Sequence, residues 1–499
     1  MEGHVPLSED VDWNRRLNDV LPVTASRNAK WYYSTFHNVT AIVSAGVLGL
    51  PTAMADLTWG PGTVLLILSW VITLFTLWQM VEMHEMFPGR RFDRYHELGQ
   101  EAFGKRLGRW IVIPQQLLVQ VSVDIVYMVA GGQALKNIYM LNCHGCSSKN
   151  VGSDDIAEKQ YESASLWILI YGSVHLLLVH LPNLNSIAAL SLAAAIMSVS
   201  YSTIAWAIPV NKGHHQPQDY HLPYYGEISP APGPEPPATA NAHPAHQVLS
   251  IFNALGVIAF AYAGHNVVLE IQATLPSTPE RPSKIAMWRG VVWAYVIVAA
   301  CYFPVAIICY WAYGNQLAAY SNILQFQGTL RDNYKGILTA ANVMLIIHIL
   351  GSYQIYAMPV FDMLETALAK KWLLPPTLKL RLITRTTYVG FTMFVATIFP
   401  FFKALLGFFG GFAFAPTTYF LPCCIWLIVW KPKRFSMSWT INWICIILGV
   451  LLMFTATIGG CWALVNEWNS YQFRRFWKWQ DCPGVNSAQH CTAPTPAPH

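Results

Sequence analysis

The sequence predicts an all-α polytopic membrane protein with 11 transmembrane helices, and three observations predict it. Of the 499 residues, 54% are hydrophobic and only 11% are charged, against about 25% charged in an ordinary soluble domain. That excludes a water-soluble enzyme. Apolar runs of about 20 residues recur along the chain, and in hydrocarbon each must be a helix, because its backbone groups have no other partners. The 31 Lys and Arg are divided unevenly among the loops and form no single patch. The net charge of +5 therefore points to a lipid bilayer and not to a nucleic-acid partner.

In chain order, segment 1–30 combines acids with Arg15 and Arg16 and lacks an apolar core beside a small-residue cleavage site. It reads as a cytoplasmic tail and not as a signal peptide. Expected spans follow at 33–57, 62–86, 110–140, 164–181, 186–210, 248–274, 287–313, 335–369, 382–402, 404–430 and 438–466, giving one transmembrane domain over 31–466. The Pro- and His-rich loop 211–247 and the tail 467–499, which ends Thr-Ala-Pro-Thr-Pro-Ala-Pro-His, are compositionally distinct. His214, His215, His243 and His246 lie among prolines that give imidazoles no fixed geometry, so no metal site is expected. His175 and His180 are five apart and point to different helix faces. Of the ten cysteines, Cys143, Cys146, Cys482 and Cys491 fall in polar segments, and spacing leaves their pairing open.

With the N-terminus in the cytoplasm, the inner segments hold 21 of the basic residues and the outer ones 10. Cytoplasmic retention of Lys and Arg predicts that bias, and an odd number of spans then places the C-terminus outside.

Two spans carry interruptions. Ser44-Ala45-Gly46-Val47-Leu48-Gly49-Leu50-Pro51 puts two glycines and a proline at mid-bilayer depth, and Ala263-Gly264-His265-Asn266 interrupts the sixth span. A small-residue pair can also serve only to bring helices close. Here each interruption opens a five-helix set, and the charge-derived topology runs the two helices in opposite directions. That is the footprint of a LeuT-like five-plus-five inverted repeat with broken helices 1 and 6. Half-helix N-termini attract a carboxylate and freed carbonyls accept an ammonium, which suggests a site for a small zwitterion.

At these residues, Asn38 to Ala41 and Ala45 to Pro51, and again at Trp59-Gly60-Pro61-Gly62, Leu77 to Glu85, Arg91 to Gly99, Phe260 to Thr274, Gly351 to Pro359 and Gly410 to Pro422, the chain resembles the lysine/histidine transporter group of the amino acid/auxin permease family. The resemblance runs from about 31 to 466. It implies proton-coupled amino acid import across the plasma membrane, with broad neutral and acidic substrates in this group. Ser44 replaces a usual Gly and Asp56 stands where a neutral Gln is typical, which puts selectivity in question.

Candidate substrate-binding residues are Ser44, Ala45, Gly46, Val47, Leu48, Gly49, Tyr127, Ala263, Gly264, His265, Asn266 and Ser352. An ionisable residue inside the membrane is a functional candidate by default, so Glu270, His265 and Asp124 are the proton-coupling candidates. Glu270 could instead pair with a neighbour, His265 could donate to a carbonyl, and Gln120, Asp124 and Tyr127 could form a polar seam between helices. His348 and Ser352 share a helix face at four-residue spacing. The acids and bases of 82–109 could form an inner gate held by ion pairs, the alternative being a mostly solvated loop in which one or two pairs matter. No nucleotide-binding Gly-Lys-Ser/Thr loop occurs, so no cofactor is expected and a coupling ion must do the work. One proton moving down about 100 mV and one pH unit gives roughly 3.7 kcal/mol, about 500-fold accumulation of a zwitterion. A sodium site could be made from freed carbonyls with Ser44, Thr40 and Ser352, and the resemblance is what favours the proton. An amino acid sensor without net transport is the alternative reading. The residues carry no signal for an oligomeric state.

Overall fold

The computed structural model describes residues 27–143, 164–180, 188–212, 218–221, 244–328, 331–372 and 377–470. Their regular structure is helical, with two isolated β-bridges at tight turns. The helices, numbered in chain order, are α1 Trp31–Ile42, α2 Leu50–Leu57, α3 Trp59–Met83, α4 Tyr95–Phe103, α5 Lys105–Asn142, α6 Ala164–Leu178, α7 Ala188–Lys212, α8 Pro244–Ala261, α9 His265–Ala273, α10 Ser283–Tyr313, α11 Ile323–Gly328, α12 Arg331–Trp372, α13 Leu378–Ile398, α14 Phe402–Phe409, α15 Leu421–Trp430 and α16 Met437–Ser470. A 3-10 turn, Ala45–Gly49, joins α1 to α2, and a π-helical stretch, Gly410–Phe420, joins α14 to α15.

Helix occupies each of the eleven expected segments, but not all of them pass as spans on length and composition. Eight do, or nine when the first span, bent by 40° at its break, is taken as one. Ala164–Leu178 is apolar but has only 15 residues, and Leu378–Ile398, with Lys379, Arg381 and Arg385 near its start and four threonines further on, is not apolar enough. The last helix continues to Ser470, so the tail expected from 467 begins within it. The loop 222–243, the histidines His214, His215 and His243, and Cys146, Cys482 and Cys491 lie outside the described residues; Cys143 is disulfide-bonded.

The helix α5 packs on α12, α12 on α7, and α6 on α13. Against this layer lie the interrupted helices: α1 on α10, α7 and α12, and α8 on α16, α14 and α2. The interrupted segments are at the centre, with every residue from His37 to Leu57 and from Ala259 to Leu275 buried. Outward faces carry Val64, Leu177, Phe394 and Leu451, all exposed. That is the inverse of a soluble bundle and suits a lipid surround.

Candidate functional site

The first interruption is a consequence of local chemistry. After Ile42 the backbone leaves helical geometry at Val43 and extends at Ser44 (φ −93°, ψ 178°). The Ser44 hydroxyl then accepts from the Gly46 amide at 3.1 Å, capping the 3-10 turn. Pro51 in the first turn of α2 costs no hydrogen bond there. The break thus lies at Val43 and Ser44, and the Ala45-Gly46 pair begins the turn that follows.

The second interruption separates α8, ending at Ala261, from α9, starting at His265. Its pivot is Gly264, whose φ of +121° is a conformation that a side chain rarely adopts. The interruptions touch. A Cβ on Gly46 would sit 3.1 Å from the Ala261 Cα, and one on Gly264 would sit 2.7 Å from the Ile42 Cγ1. Further out, Gly49 faces Val257 and the Ala29 amide donates to the Thr274 carbonyl at 3.1 Å. As numbers rise in one segment they fall in the other, so the two broken helices are antiparallel neighbours and meet at their breaks.

Around this meeting point lie side chains from four other helices. Four carbonyls at the first break accept from hydroxyls: Thr40 from Ser352 at 3.1 Å, Ala41 from Tyr356 at 2.9 Å, Ile42 from Tyr302 at 2.6 Å and Ser44 from Tyr201 at 3.3 Å. Tyr302 is also 2.6 Å from the Ala261 carbonyl, so one hydroxyl bridges the ends of α1 and α8. The Tyr127 hydroxyl is buried beside the Ser44 and Ser352 side chains and completes no hydrogen bond. Ser44, Gly46, Tyr127, Gly264 and Ser352, proposed from sequence, are therefore brought together with Ala45 and Ala263.

Other candidates face elsewhere. His265 turns to α3, where its Nε2 lies 3.0 Å from the Thr73 carbonyl and 3.0 Å from the Thr76 hydroxyl. A carbonyl only accepts, so Nε2 carries a proton, and Nδ1 is buried without a partner. The sequence alternative of a His serving a carbonyl fits this placement, though the carbonyl belongs to an intact helix and not to the break. Asn266 donates to the Thr417 hydroxyl at 3.0 Å, in the π-helical stretch. Val47, Leu48 and Gly49 continue the 3-10 turn, with Gly49 packed on Leu406 and Val257.

The buried carboxyls sit in different surroundings. Glu270, 2% exposed, accepts from Gln116 at 2.7 Å through Oε1, and Oε2 has no hydrogen-bond partner. Asp124 accepts from Tyr388 at 2.6 Å through Oδ2, and its Oδ1 is likewise orphaned. It therefore joins α5 to α13, the helix-joining arrangement weighed from sequence.

Below Glu270, Arg94 grips Asp362 through two nitrogens at 2.5 and 3.2 Å and Glu97 at 3.1 Å. Arg27 is 2.7 Å from Asp93, which is also 3.2 Å from His84. Burial pulls the Asp93 carboxyl upward, but the His84 contact and the charges of Arg27 and Arg91 outweigh it and hold Asp93 below the ordinary range. Arg91 donates to the Gln272 and Leu275 carbonyls, tying this cluster to the end of α9. At the opposite end, Asp56 of α2 is 2.8 Å from Lys403 of α14, both largely buried, and Lys403 also reaches the Ala318 carbonyl at 3.1 Å.

Sequence reasoning missed Tyr201, Tyr302, Tyr356 and Thr417. Tyrosine in an apolar span is too common to carry a signal. The Gly410-Gly411 and Pro416 pattern of the tenth span was a usable one, since insertions of π-helix occur where glycine and proline loosen the ladder.

Comparison with known proteins gives the family. The profile of the family described as transmembrane amino acid transporter protein matches residues 27–461. Lysine histidine transporter-like 1 of Arabidopsis thaliana is 54% identical over 93% of this chain and 95% of its own. Lysine histidine transporter-like 3 is 56% identical over 92% and 95%, and amino acid permease 8 of the same plant is 28% identical over 89% and 93%. The chain belongs to the transmembrane amino acid transporter family and is not an enzyme.

Proposed function

We propose that this family member is a proton-coupled symporter that imports amino acids across the plasma membrane by alternating access. It would use eleven spans in a LeuT-like five-plus-five repeat, with a cytoplasmic N-terminus and an extracellular C-terminus. The observation that carries the reading is the antiparallel meeting of two broken helices at Gly46–Ala261 and Ile42–Gly264. Such a junction sets amide N–H ends, at Ala45 and at His265, against carbonyl ends at Ile42 and Ala261. Opposite partial charges a few ångströms apart suit the carboxylate and ammonium of an amino acid. Tyr127 and Ser352 supply hydroxyls beside them, and the backbone of Ser44 to Gly49 and of Ala263 to Asn266 is the lining we assign to the substrate site.

The packing supports the repeat. Under an exchange of the first five spans with the second five, the pairs α5–α12 and α6–α13 map onto themselves. The α12–α7 contact then has its counterpart in α5 against α14 and the π-helical stretch, and both are present.

Glu270 is the group we assign to proton exchange with the cytoplasmic side. With Glu270 ionised, three carboxylates, Asp362, Glu97 and Glu270, would share the neighbourhood of one guanidinium, Arg94. Binding a proton on Glu270 relieves that excess, and releasing it draws Arg94 away from Asp362. Asp124, already linked to Tyr388, is the second carboxyl capable of holding a proton.

The test is uptake of labelled amino acids into proteoliposomes with an acid-outside gradient. Accumulation that collapses when the gradient is dissipated supports the symporter. Binding without accumulation would make the protein a sensor and overturn the reading.

A further inference from the structure

The carbonyls at the first break are the natural place for a metal cation, because a helix end offers several oxygens with no helical donors. Here most are already served. Three hydroxyls, from Tyr356, Tyr302 and Tyr201, point their protons at the Ala41, Ile42 and Ser44 carbonyls, and the Ser352 hydroxyl lies 3.1 Å from the Thr40 carbonyl. A sodium ion needs several of these oxygens at once and would have to displace the donors, whereas a substrate ammonium needs only the second lone pair of a single carbonyl.

Behind one of the four lies an imidazole. His348 Nδ1 is 2.9 Å from the Ala194 carbonyl on α7, so Nδ1 carries the proton and Nε2 faces the Ser352 hydroxyl at 3.1 Å as an acceptor. The same hydroxyl is 3.1 Å from the Thr40 carbonyl and 3.0 Å from the carbonyl of His348 itself. It has one proton and three acceptors. With His348 neutral, a Ser352 proton given to Nε2 is lost to Thr40.

We propose that His348 and Ser352 form a proton site that takes the place of a metal cation at the first break. A proton arriving on Nε2 makes it a donor to the Ser352 oxygen, and the Ser352 hydroxyl proton then turns to the Thr40 carbonyl. One proton is bound, no covalent bond of the protein breaks, and α12 gains a committed hydrogen bond to the broken helix. Because Ser352 also lies beside Tyr127, occupancy of the imidazole is felt at the pocket wall. Deprotonation returns Ser352 to Nε2 and frees α1 to move.

The surroundings leave the imidazole to respond to a proton alone. From α7 the titratable neighbour is Tyr201, its ring 5.6 Å from that of His348 and its hydroxyl given to Ser44. From α1 it is His37, held 2.9 Å from the Ser191 hydroxyl, whose backbone carbonyl takes the Thr40 hydroxyl. From α5, Asp124 is engaged by Tyr388. Among the described residues no carboxylate, lysine or arginine pairs with His348.

This inference rests on the symporter reading and deepens it by naming where the proton acts on the break. The experiment measures protons and amino acids entering proteoliposomes together, in sodium and with choline in its place. For the unaltered protein the ratio is expected near one and indifferent to sodium. For His348→Gln it is expected to fall at least fivefold, residual amino acid movement running without protons. Ser352→Ala, a smaller change, is expected to lower the ratio at least twofold and serves if His348→Gln does not reach the vesicles.

A sodium-driven uptake by the unaltered protein, or an undiminished ratio in both variants, would overturn the proposal and leave symport standing. No accumulation by the unaltered protein under any gradient would overturn symport, and this site with it.

Discussion

Gly46 has no room for a side chain: Ala261, Ser44 and Phe260 all lie within 3.2 Å of where its Cβ would be. Gly46→Val is therefore expected to cut uptake at least tenfold while protein still reaches the membrane, measured as transport per molecule at the surface. Wild-type uptake would remove the break from the transport path. Glu270→Gln keeps the shape and the Gln116 contact but holds no exchangeable proton. Its uptake should lose most of its dependence on external pH, read as the ratio of rates at acid and neutral pH, and an unaltered ratio would clear Glu270 of the coupling role. Tyr302→Phe removes the donor shared by Ile42 and Ala261, at a cost of about 1–3 kcal/mol for a buried carbonyl left unsatisfied. Thermal unfolding in detergent should show the loss. At this scale the sequence exposed glycines, prolines and charges, because such residues are costly in a bilayer and so stand out. It exposed His348 as an ionisable residue on the face of Ser352 but not its Ala194 partner 154 positions away, and it did not expose Tyr302, whose partner lies 260 positions away.

Among elements, the interrupted helices were the most legible, since glycine at φ +121° and serine capping a short turn are local matters. The direction in which His265 points was not, because the rotation of α9 is set by its packing on α3 and on the π-helical stretch. The pairing of α2 with α14 was likewise invisible. Asp56 was conspicuous as an acid near a span's end, and its partner Lys403 lies 347 residues further on. Removing one member of so buried a pair strands the other and costs about 3–5 kcal/mol. Lys403→Met should lower thermal stability accordingly, and Asp56→Asn combined with it should recover part of the loss. Additive losses would mean that the ion pair does not join these helices.

For the whole molecule, ties occur at both ends of the central helices: Asp56–Lys403 at one, and Arg94–Asp362 with Arg27–Asp93 at the other. The proposed alternating access requires that these be released in turn. Asp362→Asn weakens the second set and should expose the site from that side. A cysteine placed at Asn266, buried and next to Gln116, should then react with a polar thiol reagent several-fold faster than in the parent. Equal rates would show that the Arg94 cluster does not gate. Such a gate was conceivable from the charges of 82–109, but which of them pair was not, because many acids and bases within a few turns admit many pairings.

Composition and periodicity by themselves determined the solvent and the broken helices, because a bilayer tolerates neither charge nor unpaired backbone without purpose. Motif resemblance added the family. Only the tertiary structure decided that the breaks meet antiparallel, that hydroxyls from three other helices cap one set of carbonyls, and that an imidazole stands behind one of them. Those facts arise where residues hundreds of positions apart compete for the same few hydrogen-bonding atoms, and that competition is settled by packing in three dimensions and leaves no periodic trace along the chain.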